Sequence, residues 1–305
     1  MSGKDYILTV IIPNRNLTGL LERCLRSVPR REDIQIIVVD DASDPDVLAS
    51  GPYPGSDDPS VETIFSSERR GAGHARNLGL ERAEGKWLMF LDSDDFLLPG
   101  ALELIDRYTS SDSDIVFFNI ESAFSDSLKP AWRQERFRQA FERYQADGGQ
   151  LDAFLRYGYT EPWGKLIRRS LVADNGISFE ESPVANDYRF SVMIGYYAEK
   201  IELCLQPLLC VTVREGSLSN DYFGDAANVL ARVRVYAGIQ RFYDEKGIAL
   251  EPLFRLLRGV RGKRKDIFAE AMDLAASMGY GRLSVLYRCF IGYFRSRCRP
   301  SGRFI

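Results

Sequence analysis

The chain has 305 residues, a length typical of two domains or of one domain with an appendage. Hydrophobic residues make up 45% and charged residues 27%, which indicates a globular protein with a sizeable core and excludes wholesale disorder. The formal net charge of −3 excludes a generally basic nucleic-acid-binding protein. The chain has no apolar run of about 18 residues, so no membrane-spanning helix is predicted.

Strand and helix patterns alternate along the first part of the chain. Short apolar runs that stop at polar residues predict buried strands, and apolar residues at helical spacing predict helices. Strands are predicted at 6–12, 34–39, 61–65, 87–91 and 115–119, and helices at 17–28, 75–83 and 99–108. This order predicts an α/β fold with a doubly wound, mostly parallel sheet flanked by helices. An exposed loop is predicted at 44–60 and helical structure at 130–157.

Polar residues follow three of these strands. Asn14 comes after the first strand, Asp40 ends the second, and Asp92 comes after the fourth. In open α/β sheets, ligands bind beyond the carboxyl ends of the strands. The sequence therefore predicts a ligand site at that edge.

The acidic run Asp92-Ser93-Asp94-Asp95 carries the strongest chemical signal. Carboxylates delivered by a buried strand suit a hard divalent cation, which takes oxygen ligands and shares its shell with water and phosphate. The alternative is a capping turn before the helix that begins at Pro99.

The segment 71–79, G-A-G-H-A-R-N-L-G, resembles a dinucleotide-binding loop because it follows a strand and opens a helix. Its sixth position is Arg76 instead of Gly or Ala, and it is not the first turn of the fold, so a Rossmann site is disfavoured. His74 is the chain's only histidine. This excludes a multi-histidine metal site, and we interpret His74 as a loop side chain near a nucleotide.

Cysteine usage indicates a reducing compartment. The five cysteines form an odd set without a C-x-x-C pair, so a disulfide framework or structural zinc site is not expected. The N-terminus lacks the basic start and cleavage site of a secretory signal. We therefore expect a cytoplasmic protein with reduced thiols.

The C-terminal segment 252–305 differs from the rest, because it holds twelve Lys and Arg against three acids. Within it, apolar residues at helical spacing share one face with arginines around them; these are Leu283, Leu286, Tyr287, Phe290 and Phe294. A basic amphipathic helix of this kind suits an anionic membrane surface. The alternative is a helix docked on the protein.

Several segments, in this order and spacing, resemble glycosyltransferase family 2, which has a GT-A fold. They are V-I-I-P-N-R-N at 10–16, I-I-V-V-D-D-A-S at 36–43, the glycine segment at 71–79, the D-x-D at 92–94, W-G-K-L-I-R-R-S at 163–170 and R-E-G-S-L-S at 214–219. Arg15 stands where the family usually has Tyr. The segments span about residues 6–220.

The resemblance implies roles for the residues at the sheet edge. Asp40 would bind the base and Arg76 would lie near the nucleotide, while Pro13 and Asn14 would line the base and ribose pocket. Asp92 would contact the ribose or a metal-bound water, and Asp94 would ligate Mn²⁺ or Mg²⁺. The neighbours Asp41 and Asp95 would exchange these roles if the register differs by one residue.

The resemblance also implies a general base and a diphosphate site. Asp187 matches the second acid of the family's acidic pair, whereas Asn186 replaces the first. Arg214, Ser217 and Ser219 would bind the diphosphate. Trp163 would form a stacking wall for the acceptor or else belong to the core. For Asp187 the alternative is a capping acid at a helix start.

The resemblance implies an inverting, metal-dependent transferase of bacterial capsule, lipopolysaccharide or exopolysaccharide synthesis. A nucleotide sugar, by default a UDP-sugar, would be the donor and a saccharide or lipid-linked saccharide the acceptor. Residues 1–222 would form the catalytic domain, with a donor half at about 1–120 and an acceptor half at about 121–222, and 223–305 a basic helical region on the inner face of the membrane. The alternative is a non-catalytic sugar-nucleotide binder or scaffold subunit.

Overall fold

The computed structural model describes residues 5–147, 151–214 and 222–297. The chain divides into two compact units. One, here called the sheet unit, comprises residues 1–181 and 190–215, and the other, the helical unit, comprises 182–189 and 216–305. Each unit has a hydrophobic core of its own.

A mixed sheet forms the centre of the sheet unit. Its strands in the described residues are β1 Leu8–Asn14, β2 Ile34–Asp40, β3 Val61–Phe65, β4 Trp87–Phe90, β5 Phe96–Leu97, β6 Ile115–Phe124, β7 Lys165–Arg168 and β8 Ile201–Val213. Their order is β3-β2-β1-β4-β7-β6-β8-β5. The pairs β1–β2, β1–β4, β2–β3 and β6–β8 are parallel, while β7 is antiparallel to both neighbours and β5 is antiparallel to β8. The predicted α/β fold with a mostly parallel sheet is confirmed.

Helices flank this sheet. They are α1 Thr18–Ser27, α2 Pro45–Leu48, α3 Ala72–Arg82, α4 Ala101–Thr109, α5 Glu135–Asp147, α6 Leu151–Tyr157, α7 Arg169–Asp174 and α8 Tyr188–Tyr197, whose first two residues are grouped with the helical unit. The helix α1 buries Leu21, Cys24 and Leu25, which recur at helical spacing. One short helix, α2, lies in the segment predicted to be an exposed loop.

The helical unit contains α9 Ala226–Lys246, α10 Pro252–Lys263, α11 Phe268–Ser277 and α12 Arg282–Arg297. Apolar side chains from these helices form its core, among them Val229, Phe254, Leu257 and Ala271. Asp225 begins α9 by accepting a hydrogen bond from the Asn228 backbone, which satisfies one of the donors left open at a helix start.

The predicted C-terminal helix is present as α12, but it packs through a different face from the predicted apolar one. Val285 is fully buried, and Arg288 binds Asp244 at 3.0 Å and lies 4.0 Å above the Phe254 ring. Three of the predicted apolar residues face outward, with Leu283 84%, Leu286 46% and Tyr287 66% exposed. The side chains of Phe290 and Phe294 lie outside the described residues. Among the helices described, none is long and apolar enough to cross a membrane.

Candidate functional site

Three parallel strands bring the predicted polar residues to one edge of the sheet. β1 lies between β2 and β4, and all three run in the same direction. Asn14 pairs in register with Asp40, and Asp92 follows the end of β4. These residues therefore lie together at the carboxyl ends of the strands, where ligands bind in such sheets.

Asp40 is buried and holds the loop after β2. Its carboxylate accepts hydrogen bonds from the Ser43 amide at 2.7 Å, the Ser43 hydroxyl at 2.6 Å, the Tyr53 hydroxyl at 2.8 Å and the Asn14 amide at 3.3 Å. Burial raises the pKa of Tyr53, and the charge of Asp40 raises it further, so Tyr53 remains a donor. The predicted base-binding residue therefore also orders the neighbouring side chains of Asn14, Ser43 and Tyr53.

Asp41 organises the glycine segment. Its carboxylate accepts from the backbone amides of Arg70 at 2.9 Å and Gly71 at 2.8 Å. Gly71 has a φ of 93°, a conformation that favours glycine, and it directly precedes α3. Asp41 therefore sets the position at which the helix carrying Arg76 begins.

Arg76 and Asp92 form an ion pair at the same edge. The Nη2 atom of Arg76 donates to Asp92 Oδ1 at 2.6 Å, and its guanidinium lies 5.4 Å from the Phe179 ring centre. The Arg76 side chain is 6% exposed, whereas that of Asp92 is 30% exposed. A predicted nucleotide contact and a predicted metal contact are thus adjacent, and the carboxylate keeps access to solvent.

Asp94 pairs with Arg214, whose Nε atom lies 3.0 Å from Asp94 Oδ2. Burial raises the pKa of Asp94, and the charge of Asp92 raises it further, while Arg214 opposes both effects. Two carboxylates therefore repel each other beside an arginine, and an additional cation at this point would be attracted to both.

Asp95 has a structural environment. It is fully buried, and its carboxylate accepts from the Thr212 amide of β8 at 2.7 Å. Burial raises its pKa well above the usual value, and the charges of Asp94 and Asp92 add to this. Asp95 joins the end of β4 to β8, so of the two adjacent acids Asp94 is the one with access to a ligand.

The donor set fits a hard divalent cation. Asp92 and Asp94 supply carboxylate oxygens, which Mg²⁺ and Mn²⁺ prefer. Within the described part of the chain, no group of three or more His, Cys, Asp or Glu side chains is arranged to hold a metal ion. A cation here would complete its shell with water or with phosphate oxygens.

The remaining predicted residues fall in different places. Asp187 directly precedes α8 and is grouped with the helical unit. Ser217 and Ser219 lie outside the described residues. Trp163 is only 4% exposed and packs at 5.5 Å from the Phe137 ring and 5.8 Å from the Tyr159 ring, an environment that corresponds to the core interpretation.

His74 has a structural partner. Its Nδ1 atom lies 3.1 Å from Glu181 Oε1, and Glu181 also pairs with Arg70. Burial alone would raise the pKa of Glu181, but the hydrogen bond from His74 and the charges of His74 and Arg70 outweigh it and lower the pKa. His74 thus ties the glycine segment to the residues after α7.

Sequence reasoning missed three residues that shape this edge. Tyr53 contacts Asp40, Thr212 contacts Asp95, and Arg23 donates to the Asp94 carbonyl at 2.6 Å. Tyr53 carried a weak signal, because it is the only aromatic residue in the predicted loop 44–60. The contacts of Thr212 and Arg23 join distant parts of the chain and leave no local pattern.

Comparison with known sequences gives a family match. Residues 9–175, more than half of the chain, match the profile described as Glycosyl transferase family 2. The chain is 25% identical to the putative glycosyltransferase EpsH of Bacillus subtilis, over 70% of this chain and 63% of EpsH. It is 33% identical to a GalNAc(5)-diNAcBac-PP-undecaprenol beta-1,3-glucosyltransferase of Campylobacter jejuni, over 63% of this chain and 60% of the relative. The chain thus spans about three fifths of the length of these two relatives.

A third relative and two solved structures extend the comparison. The succinoglycan biosynthesis protein ExoO of Rhizobium meliloti is 26% identical over 84% of this chain and 74% of its own. Residues 1–349 of S. aureus TarS, in complex with UDP-GlcNAc, match with a TM-score of 0.58 and 17% identity, over 97% of this chain and 93% of that one. A Pyrobaculum calidifontis mannosyltransferase with GDP-Man and Mn²⁺ matches with a TM-score of 0.53 and 17% identity, over 98% and 82%. The likeness to the two solved structures confirms the predicted GT-A fold.

Proposed function

The chain belongs to glycosyl transferase family 2, and on that premise we propose that it is an inverting enzyme that transfers a sugar from a UDP-sugar to a saccharide or lipid-linked saccharide acceptor. The main support is the sheet edge at which Asn14, Asp40 and Asp92 meet, with Arg76 paired to Asp92 at 2.6 Å. The names of two relatives, the succinoglycan biosynthesis protein ExoO and the GalNAc(5)-diNAcBac-PP-undecaprenol beta-1,3-glucosyltransferase, support a role in bacterial surface polysaccharide synthesis.

The donor nucleotide binds at this edge. Pro13 and Asn14 line the base and ribose pocket, and Asp40 accepts a hydrogen bond from the base. Arg76 and Arg214 are fixed by carboxylates at 2.6 Å and 3.0 Å, so their guanidinium groups are already ordered next to the site. Charged donors of this kind bind diphosphate oxygens strongly.

A divalent cation, Mn²⁺ or Mg²⁺, would be held by Asp94 and Asp92. When bound, it would neutralise negative charge that develops on the departing nucleoside diphosphate. Arg214 acts on the same charge from the protein side, and Ser217 and Ser219 add hydroxyl donors. Asp187 removes the proton of the acceptor hydroxyl during attack from the opposite face.

Ligand-induced stabilisation tests donor binding. UDP, GDP, CDP and NAD are each added with and without Mn²⁺, and a ligand at 100 times its dissociation constant adds about 2.7 kcal/mol to the free energy of unfolding. We expect UDP to stabilise the protein in a Mn²⁺-dependent manner and the Asp94→Ala variant to lose that dependence. Stabilisation by NAD alone would contradict a nucleotide-sugar site.

The Asp187→Asn variant tests the base. It should retain UDP binding and lose transfer by a factor of about 10²–10⁴, whereas the exposed control Asp174→Asn should transfer normally. Turnover close to wild type in Asp187→Asn would assign the proton transfer elsewhere.

The second candidate function is a non-catalytic sugar-nucleotide-binding subunit, and it is favoured by Asn186 at the family's first acidic position. It predicts UDP binding without turnover in the wild type.

The exposed face of α12 is proposed to contact an anionic membrane. Leu283, Leu286 and Tyr287 project from the surface of a segment that is rich in Lys and Arg. A double variant, Leu283→Ser with Leu286→Ser, should lose sedimentation with vesicles that contain phosphatidylglycerol. The control Leu205→Ser, at a 40% exposed position of β8, should sediment as the wild type does. Equal binding to pure phosphatidylcholine vesicles would contradict an electrostatic contribution.

A further inference from the structure

The turn that carries Asp187 is strained and needs support from its surroundings. Ala185 has a φ of 54°, which is unusual for a residue other than glycine. The Tyr188 amide donates to the Ala185 carbonyl at 3.3 Å, which closes the turn around Asn186 and Asp187. A non-glycine residue held in this region costs about 1–3 kcal/mol and persists where neighbouring groups fix it.

One neighbour of this turn comes from α9 of the helical unit. The Tyr236 ring of α9 packs edge-to-face against the Tyr188 ring, with 4.8 Å between the ring centres. Tyr188 is the first residue of α8 and directly follows Asp187. Contact with its ring therefore restrains the backbone next to the proposed base.

Tyr236 is itself held in place through its hydroxyl group. That hydroxyl lies 2.9 Å from the hydroxyl of Tyr222. Arg232 fixes Tyr222 in turn, because its Nη1 atom donates to the Tyr222 carbonyl at 2.6 Å and its guanidinium lies 4.3 Å from the ring centre. The Arg232 side chain is buried, so this support is rigid.

Burial and nearby charges keep the Tyr236 hydroxyl protonated. Burial raises the pKa of the Tyr236 phenol well above its usual value, and the neighbouring Tyr222, Tyr188 and Asp187 groups raise it further. Tyr236 therefore presents a neutral hydroxyl in the electrostatic neighbourhood of Asp187 and cannot serve as a competing base at neutral pH.

We propose that Tyr236 is a positioning residue for Asp187, and that α9 thereby contributes to the catalytic geometry through the Tyr222–Tyr236–Tyr188 contacts. The assignment rests on the proposed function, in which Asp187 is the general base. It gives the helical unit a role in turnover that is separate from any membrane contact of α12.

Hydrogen exchange and kinetics of matched tyrosine variants test this assignment. Tyr236→Phe keeps the ring and removes the hydroxyl that fixes it, and Tyr222→Phe removes the same hydrogen bond from the other side. The control Tyr280→Phe removes a different hydroxyl of the same unit, which donates to Asp244 at 3.3 Å. Turnover is followed as UDP release from UDP-glucose, UDP-galactose and UDP-GlcNAc, with water as the nucleophile.

We expect Tyr236→Phe to increase amide exchange at residues 185–190 and to lower kcat about tenfold, with the donor KM within about a factor of two of the wild type. Tyr222→Phe should also increase amide exchange at these residues and lower kcat, each by about threefold. Tyr280→Phe should change neither the exchange nor kcat. A split between kcat and KM is not expected from a purely structural role.

The two proposals fail in different ways. If Asp187→Asn releases UDP as fast as the wild type, the base assignment is wrong, whatever the tyrosine variants do. If Asp187→Asn is inactive while Tyr236→Phe and Tyr222→Phe keep wild-type exchange and kcat, Asp187 stands as the base and the positioning role of Tyr236 is refuted. Unchanged exchange in Tyr236→Phe refutes that role even without measurable UDP release.

Discussion

The crossing of α6 and α8 depends on Gly195, and this gives a quantitative prediction. A Cβ atom at Gly195 would lie 2.8 Å from both the carbonyl carbon and the Cα atom of Arg156, and closer still to its carbonyl oxygen. The Arg156 side chain also donates to the Gly195 carbonyl at 2.7 Å and to the Ala198 carbonyl at 2.5 Å. The two backbones are thus held together, and neither can move aside cheaply.

The magnitude for Gly195→Ala follows from two opposing effects. Replacing a helical glycine by alanine gains about 1 kcal/mol, whereas overpacking a tight contact costs about 1–3 kcal/mol and occasionally more. Because the clash involves backbone on both sides, the cost lies at or above the upper end. We expect a net loss of about 2 kcal/mol in the free energy of unfolding, or about 4–8 °C in Tm.

A matched control separates the clash from helix propensity. Gly19 lies in α1 of the same unit, and a Cβ atom there would meet nothing within 4 Å. We expect Gly19→Ala to keep or slightly raise Tm, by up to about 1 kcal/mol in stability. Urea unfolding followed by circular dichroism measures both variants. A Gly195→Ala protein as stable as Gly19→Ala would refute the close approach of the two helices.

Three further predictions concern polar groups. Asp41→Ala leaves two backbone donors without an acceptor and should cost about 2–4 kcal/mol in urea unfolding, with Asp46→Ala at an exposed site as a neutral control. Lys165→Met removes a buried ammonium that donates to the Tyr159 carbonyl at 2.9 Å and leaves that carbonyl without this donor, so we expect a loss of about 1–3 kcal/mol and a lower Tm. Burial alone would raise the pKa of Asp244, but hydrogen bonds from Arg288 and Gln240 and the Arg288 charge outweigh it and lower the pKa. The resulting stabilisation is present above about pH 4 and is lost as the pH falls further through the folded-state pKa, so Arg288→Gln should weaken the acid dependence of thermal melting in that range.

The strands β1, β2 and β4 could be predicted because both of their faces are covered. β1, β2 and β4 are buried along their whole length, so their sequences are predominantly apolar and do not alternate with polar residues. The predicted end of the first strand at Ile12 was two residues short, since β1 continues to Asn14. Pro13 is tolerated there because β4 pairs only with Leu8–Ile11, so Pro13 lies past the last pair on that side.

The other half of the sheet could not be predicted from local pattern. β7 has four residues and β5 has two, and each is defined by antiparallel pairing with a strand far away in the sequence. β8 has 13 residues, but its burial is mixed along its first half. Strand propensity is weak where cross-strand packing decides the outcome. The packing face of α12 was not predicted for a similar reason, because it is defined by Val285, which is fully buried, and by Arg288, which pairs with Asp244 far away in the sequence.

Which of the two adjacent acids, Asp94 or Asp95, has access to a ligand could not be predicted from the sequence. Asp94 and Asp95 have the same chemistry and neighbouring positions, and a register error of one residue exchanges their predicted roles. The structure distinguishes them. The Thr212 amide, 117 positions along the chain, donates to the buried Asp95 carboxylate, whereas the Asp94 side chain is 20% exposed beside Arg214. A motif therefore indicates that a carboxylate reaches the site, but the long-range partner of its neighbour determines which carboxylate does so.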